Sequence, residues 1–360
     1  MIALAPTLGS ARIAAKRLPK TARITRRVRA LKVLCLFAAI SLAINFGLFA
    51  ACETNTGLRD PAYGDKLTKL ERLKAKQPNA KLAVMLGSSR VLLGFRGLDA
   101  AERLGTTTGE PWLACNFGTP AAGPVTQLVA FHRMLKLGHR PDWLLVELFP
   151  AMLADGETGP HEQNFLPVER LTFDELDLVA SCGFDAAKLS AGWRNSLVAP
   201  IHAHRFPLLG RIAPGWLPWD LRYDWSRKTD ASGWTTPPKQ NIEPHERAER
   251  EAKVEAEYRG ALSGLVPQGR PLATLHRIAE LARGERIPVS FVWMPEAASF
   301  QRLYPPGLID RVTTATAGLP NLIIARDWLD DGDLYDGHHP FAAGASKFTE
   351  RLMRGGPPAP

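Results

Sequence analysis

The sequence has few cysteines and lacks the common phosphate-binding motifs. Its four cysteines are Cys35, Cys52, Cys115 and Cys182. They are too few and too scattered for a disulfide framework, so Cys115 and Cys182 are expected to be buried thiols. No glycine-rich GxGxxG or GxxxxGK[ST] segment follows an apolar run, which argues against a nucleotide-binding protein.

After residue 32 the sequence also lacks an excess of either charge. The formal net charge is +9, and residues 1–32 contain nine of the 45 Lys and Arg residues and no acid. The remaining 36 basic residues balance the 36 acidic residues. An electrostatically balanced body does not suggest a surface that tracks phosphates, so no nucleic-acid partner is predicted.

The basic segment leads directly into an apolar run. Val33 to Ala51 contains no charged residue and only one amide, Asn45. A hydrocarbon core about 30 Å thick needs about 20 such residues as a helix. The sequence therefore predicts a transmembrane helix at 33–51, a cytoplasmic segment at 1–32 and a periplasmic or extracellular main domain.

Three other interpretations of this region stay open. One is a cleaved signal peptide, although such peptides usually have shorter basic and apolar parts. Another is a buried core helix, although such a helix would rarely follow nine uncompensated basic residues. The third is lipoprotein processing at Cys52, because Phe49-Ala50-Ala51-Cys52 loosely resembles a lipoprotein cleavage box. Phe49 fits poorly where leucine is usual.

Short apolar runs rich in branched residues alternate with segments of helical length. This pattern is typical of buried parallel strands connected by helices. We predict an α/β fold, a flavodoxin-like three-layer sandwich with about five parallel strands, preceded by the transmembrane helix. The predicted strands are Lys81–Leu86, Trp112–Phe117, Trp143–Phe149, Ile287–Met294 and Asn321–Ala325. The predicted organisation is a stalk at 52–78, a domain at 79–354 with an insertion at 151–269, and a tail at 355–360.

Residues that follow these strands are the candidates for chemistry, because ligands of open parallel sheets bind at the carboxyl ends of the strands. Ser89 follows the first strand, where a tight turn exposes its oxygen and directs its N–H towards a developing oxyanion. His339 and Asp336 follow the last strand and supply a base and its orienting carboxylate. Arg90, Asn116 and Glu296 follow strands as well and are assigned to substrate binding, with a structural role as the alternative for Arg90.

Three segments together resemble the conserved blocks of the SGNH/GDSL hydrolases. They are GSSR at 87–90, NFGTPAAG at 116–123 and DGHHPFAAG at 336–344. The resemblance implies Ser89 as nucleophile, His339 as base and Asp336 as its orienting residue. It also implies an oxyanion hole formed by the N–H groups of Ser89 and Gly118. Ser88 and His338 are the neighbouring alternatives, and the spacing of the family blocks favours Ser89 and His339.

The third block departs from the family. Relatives often have an asparagine there that donates to the oxyanion, whereas this chain has ELFP at 147–150. The expected function is an acyl ester hydrolase or an O-acyltransferase that acts on an extracytoplasmic glycan or cell-envelope ester through an acyl-Ser89 intermediate. The alternative is a non-catalytic scaffold that binds a polysaccharide or assists a membrane acyltransferase. No cofactor or metal is predicted, since His202 and His204 have no nearby cluster of further ligands.

Overall fold

The computed structural model describes residues 20–157, 159–218, 221–222, 224–237, 242–263 and 265–358, with side chains from Thr25 onward. It begins with helix α1, Lys20–Thr54. Residues 25–54 of this helix are long and apolar enough to cross a membrane, with a mean hydropathy of 2.3 over their most apolar 18 residues. The Asn45 side chain donates to Ser41 O at 2.8 Å, so its polar group is satisfied within the helix. The first 19 residues of the basic segment and the last two of the tail lie outside the described residues.

A sheet of five parallel strands forms the centre of the domain, as predicted. The strands are β1 (Lys81–Gly87), β2 (Trp112–Gly118), β3 (Trp143–Glu147), β6 (Val289–Trp293) and β7 (Leu322–Ile324). Two very short strands, β4 (Asp155–Gly156) and β5 (Gly159–Pro160), form a separate hairpin. The order β2-β1-β3-β6-β7 is that of doubly wound sheets, whose ligand crevice lies between β1 and β3.

Helices cover both faces of the sheet. Alternate residues of β1 point to opposite sides, so Leu82 and Val84 pack with one set of helices while Ala83 and Met85 pack with the other. The first set is α3 (Pro61–Lys76), α6 (Pro124–Lys136), α12 (Arg270–Gly284) and α14 (Leu308–Thr316). The second set is α4 (Ser89–Gly94), α5 (Gly97–Thr108) and α15 (Ala342–Met353).

The insertion after β3 is mainly helical. Its helices are α7 (Leu176–Ser181), α8 (Ala186–Val198), α9 (Pro200–Ala203), α10 (Arg205–Ile212) and α11 (Pro244–Leu262). Two further short helices are α2 (Thr56–Arg59) and α13 (Ala298–Gln301). The insertion also covers the exposed edge of the sheet, because Asn116 N–H of β2 donates to Ser232 O at 2.7 Å.

The segment at 52–78 differs from the predicted stalk. Helix α3 packs on the sheet, and its residues Tyr63 and Leu67 belong to the main core. Asp60, just before α3, is buried and lies 2.8 Å from Arg133 Nη1 and 3.0 Å from Arg170 Nε. These ion pairs join the start of the segment to α6 and to the insertion, so the polar residues are structural contacts rather than signs of a solvated linker.

Lys66 provides a test of this packing. Its side-chain amino group is buried and donates to Asn116 O at 2.7 Å and to Gly233 O at 3.0 Å. Burial lowers the pKa of Lys66 to about 7. Above pH 7 the unfolded chain therefore binds more protons at Lys66 than the folded chain does. The free energy of unfolding should rise with pH by at most about 1.4 kcal/mol per pH unit between pH 7 and 10.

We expect the thermal midpoint of the full chain in detergent to rise between pH 7 and pH 9.5, and Lys66→Met to reduce that rise. Lys76→Met is the matched control, since Lys76 is exposed at the end of the same helix. Equal pH dependence in the two variants would contradict the burial of a neutral amine at position 66.

Candidate active site

Ser89, His339 and Asp336 meet at the carboxyl edge of the sheet. Ser89 Oγ lies 2.8 Å from His339 Nε2, although the two residues are 250 positions apart. His339 Nδ1 lies 2.7 Å from Asp336 Oδ2. Ser89 and His339 are half-buried and Asp336 is buried. The arrangement is a hydrogen-bonded Ser-His-Asp relay with the serine at its accessible end.

Ser89 occupies the first turn of a helix that starts directly after a strand. Strand β1 ends at Gly87, and Ser88 caps α4 by accepting the Arg90 N–H at 3.2 Å. Glu147, at the end of β3, accepts the Ser88 N–H at 2.5 Å. The turn is therefore fixed by its own cap and by the neighbouring strand, and the Ser89 hydroxyl is held at the edge of the sheet.

A tight loop presents Asp336 and His339. Asp336 Oδ1 accepts the His339 N–H at 2.9 Å, and Tyr335 N–H donates to His339 O at 2.9 Å. Gly337 has a φ of +92°, a conformation that glycine adopts without strain. Gly344 also has a steric role, because a Cβ there would lie 2.6 Å from Asp333 O. The glycines of the DGHHPFAAG segment thus allow the loop to close on helix α15.

The electrostatics of the loop favour an ionised carboxylate. Burial alone would raise the pKa of Asp336, but its electrostatic interactions with His339 and His338 and the His339 hydrogen bonds hold it well below its usual range. An ionised Asp336 accepts the His339 Nδ1–H and leaves Nε2 as the atom that faces Ser89. This is the tautomer that a general base requires.

His338 has a different environment from its neighbour. It is buried among Phe149, Tyr258 and Phe300, with ring centroids 5.0–6.3 Å from its own. Burial lowers its pKa well below the usual histidine range. Neither ring nitrogen has a hydrogen-bond partner among the described residues. The structure therefore gives the serine contact to His339 and a packing position to His338.

Arg90 and Glu296, predicted to bind substrate, are both buried in an ion network beneath the turn that contains Ser89. Arg90 Nη1 lies 3.1 Å from Glu296 Oε1, and Arg90 Nε lies 3.5 Å from Glu147 Oε1. Arg90 Nη2 also donates to Met294 O at 2.8 Å. The Phe149 ring covers the guanidinium at 4.4 Å. These contacts correct the prediction, because neither side chain is accessible to a substrate.

Asn116, also predicted to bind substrate, is buried and binds backbone. Its amide nitrogen donates to Val91 O and Phe95 O, both at 2.7 Å. Its Oδ1 accepts the Gly118 N–H at 2.8 Å. Asn116 thus ties β2 to helix α4, which carries Ser89.

The same contact corrects the oxyanion role predicted for Gly118. Its N–H is engaged by Asn116 and is not free for an oxyanion. The glycine is needed for another reason, since a Cβ at 118 would lie 2.3 Å from Leu92 N and 2.8 Å from Ser88 O. The absence of a side chain at Gly118 therefore lets the turn that contains Ser89 pack closely on β2. The N–H of Ser89, in the unpaired first turn of α4, stays the predicted oxyanion donor.

Helix α11 of the insertion covers one side of the site. Arg247 donates to Asp331 O at 2.6 Å, and the Arg250 guanidinium lies 5.7 Å from the Tyr335 ring. Tyr335 in turn stacks on His339 with an interplanar angle of 16°. A cavity of about 330 Å³ between α11 and α13 is bordered by Asp336 and Phe300. This space adjoins the carboxylate end of the relay, and its lining includes neither Ser89 nor His339.

Several of these neighbours were not predicted from the sequence. Tyr335 is the neighbour that the sequence could most easily have indicated, because it immediately precedes Asp336. A single aromatic residue in a loop does not, however, identify a site. Tyr258 and Phe300 come from elements far apart in the chain. Their contacts with His338 depend on how α11 folds back over the sheet.

The loop also contains a possible metal-binding set. One potential ligand atom from each of Asp336, His338 and His339 lies within 4.8 Å of the others. However, the hydrogen bond between Asp336 and His339 engages two of these residues with each other. The donors fit the serine relay better than a tetrahedral metal site.

Comparison with known proteins gives no assignment: no protein-family model matches the chain, and no curated protein matches it.

Proposed function

We propose that this chain is a serine-dependent acyl ester hydrolase or O-acyltransferase of the SGNH/GDSL type. The observation that carries the proposal is the pair of hydrogen bonds that link Ser89 to His339 and His339 to Asp336. Sequence blocks and fold support it jointly, because the two ends of the relay follow the first and last strands of one parallel sheet. Such placement is where α/β enzymes hold their ligands.

The first half of the reaction acylates the serine. Ser89 Oγ attacks the acyl carbonyl carbon as His339 Nε2 removes the hydroxyl proton. Asp336 stabilises the imidazolium through Nδ1–H, and the Ser89 N–H donates to the oxyanion. When the tetrahedral intermediate collapses, the bond to the leaving alkoxy oxygen breaks, and the proton on His339 passes to that oxygen. The acyl group is left as an ester on Ser89.

The second half regenerates the serine. Water or a sugar hydroxyl attacks the acyl-Ser89 carbonyl as His339 takes the proton of the attacking group. Collapse breaks the bond to Ser89 Oγ, which recovers its proton from His339. Water gives a carboxylic acid, and a sugar hydroxyl gives a new ester. The acceptor therefore decides between hydrolase and transferase.

The oxyanion hole is the weakest part of the proposed machinery. The family's third-block asparagine is absent, and the Gly118 N–H is engaged by Asn116. Loss of one such donor in other enzymes costs about 10²–10³ in rate. This observation favours a second candidate, a non-catalytic scaffold that binds a glycan or assists a membrane acyltransferase.

Fluorophosphonate labelling separates the two candidates. Purified full chain in detergent should incorporate the probe at Ser89, identified by peptide mapping, because only an activated serine reacts. A chelator should leave the labelling unchanged, since the relay needs no metal. Absence of label would favour the scaffold, and loss of label on chelation that zinc restores would favour a metal site at Asp336, His338 and His339.

We extend the proposal to location: α1 spans the membrane and the domain is periplasmic or extracellular. The basic residues before Val33 favour a cytoplasmic N-terminus. Processing at Cys52 is disfavoured, since α1 continues through Cys52 to Thr54 and Cys52 is fully buried against the domain. The substrate is then an acyl ester of an extracytoplasmic glycan or of the cell envelope.

Topology can be tested with full-chain fusions in a bacterial host. Alkaline phosphatase attached to the C-terminus should be active, because it works only after export. Replacing Arg26, Arg27, Arg29 and Lys32 with glutamine should lower that activity by weakening the orientation signal. A green fluorescent fusion that is bright while the phosphatase fusion is inactive would place the domain in the cytoplasm.

A further inference from the structure

The helices that follow Asp185 in the insertion expose apolar side chains beside the end of α1. Val198, Ile212 and Trp216 are 79%, 81% and 81% exposed, and Leu197 and Ile201 are exposed as well. We refer to these five residues as the apolar patch. Scattered exposed hydrophobic residues are ordinary, but several on consecutive short helices indicate a contact surface.

The helices that carry the patch pack beside the candidate membrane span. Helices α8 and α9, which meet at Val198, both contact α1. The Trp193 ring of α8 packs edge-on against Phe49 of α1 at 5.8 Å. Arg211 of α10 donates to Gly57 O at 3.2 Å, just beyond the end of α1. The insertion helices are therefore fixed around the point where α1 meets the domain.

The length of the apolar run indicates how close to the bilayer the junction between α1 and the domain lies. Val33 to Ala51 is 19 residues, or about 28 Å as helix, so a hydrocarbon core about 30 Å thick uses all of it. Yet Leu48–Ala51, its last turn, is half-buried by protein. The protein that covers this turn must then lie at the level of the lipid headgroups or slightly below.

The charge of the surrounding segment is also appropriate for a membrane surface. Residues 186–228 include seven Lys or Arg and two Asp, although residues 33–360 as a whole have no net charge. Lys188 and Arg194 are exposed on α8 itself. Basic residues near an anionic bilayer contribute about 1 kcal/mol each, and tryptophan favours the interface.

We propose that α8, α9 and α10 form a second membrane contact, which lies in the bilayer interface and inserts the apolar patch among the lipids around α1. The inference rests on the proposal that α1 spans the membrane. The partner is the lipid bilayer itself, with a preference for anionic lipid. Interfacial helices of this kind bury their apolar face about 5–10 Å into the headgroup region.

The experiment measures lipid contact in the full chain, incorporated into nanodiscs of phosphatidylcholine and phosphatidylglycerol. A fluorophore is attached at Val198→Cys in a Cys35→Ser background, and lipids with a quencher on the acyl chain are added. The other cysteines are buried. Native Cys35, exposed on α1, provides the positive control for the span. Ile324→Cys in the same background is the negative control. Ile324 is exposed on β7, which forms one edge of the sheet, whereas α3 packs on β2 at the other edge.

We expect quenching at position 198 to exceed that at position 324 by at least about twofold, with a further increase as the anionic fraction rises. Strong quenching at Cys35 with none at 198 would overturn the interfacial contact while the span stands, and would leave a protein partner to cover the patch. Absence of quenching at Cys35 would overturn the span and this inference together.

Discussion

Ser89→Ala and His339→Ala should each abolish turnover of a small acyl ester. The first removes the oxygen proposed as nucleophile, and the second removes the proposed base, whose Nε2 lies 2.8 Å from that oxygen. In serine hydrolases such losses reduce the rate roughly 10⁴-fold or more. The double variant should be no worse than either single variant, because the two groups act in one step. Initial rates with a chromogenic ester measure the effect.

Stability and a neighbouring serine provide the controls. Both single variants should keep the thermal midpoint close to that of the wild type, since Ser89 and His339 are only half-buried. Ser88→Ala should lose about 1 kcal/mol through the missing helix cap but keep fluorophosphonate labelling at Ser89. If Ser88→Ala loses the label and Ser89→Ala keeps it, the nucleophile has been misassigned.

Asp336→Asn should lie between the wild type and the alanine variants. The amide keeps an acceptor oxygen but no longer stabilises the imidazolium that forms on His339. A variant rate equal to that of wild type would show that the carboxylate only shapes the loop.

The strands could be predicted from the sequence because their signals are local. Each apolar run is short and rich in branched residues, and four of the five are stopped by glycine or proline, as at Gly87 and Pro150. The proximity of Ser89, Asp336 and His339 could be predicted because they lie in two segments of the chain that resemble known sequence blocks. Their distance from one another then followed from the sheet, which brings strand ends to one edge.

The predictions that the structure corrects concern residues whose contacts are made with residues elsewhere in the chain. Arg90 follows a strand as an active-site residue would, but its partner Met294 is 204 positions away. Asn116 and Gly118 are one hydrogen-bonded unit, which spacing alone does not reveal. The polar segment 52–78 looked solvated because the bases that pair with Asp60 lie on α6 and in the insertion.

The second large effect is expected on stability, from Arg90→Met. This change leaves the carboxylates of Glu147 and Glu296 buried without their shared cation. Breaking a buried ion pair from one side typically costs about 3–5 kcal/mol. Arg140→Met is the matched control, because the ion pair of Arg140 with Glu285 is largely exposed and should contribute less than about 1 kcal/mol. Chemical denaturation of both variants measures the difference.

The loss should depend on pH with a definite sign. Burial raises the pKa of Glu147 and of Glu296, and Arg90 opposes that rise in the wild type. Without Arg90 both folded-state pKa values rise further above the unfolded value of about 4.3, so the folded state holds more protons. The stability of Arg90→Met should therefore fall as the pH rises from 5 to 8, more steeply than that of the wild type.

A triple variant distinguishes a structural Arg90 from a substrate-binding one. Glu147→Gln and Glu296→Gln added to Arg90→Met remove the unpaired charges and should recover much of the lost stability, since neutral replacements of buried ion networks are often tolerated. Substrate binding by Arg90 predicts the opposite pattern. In that case Arg90→Met would be as stable as Arg140→Met, would raise KM without a change in kcat, and would not be rescued by the two glutamines.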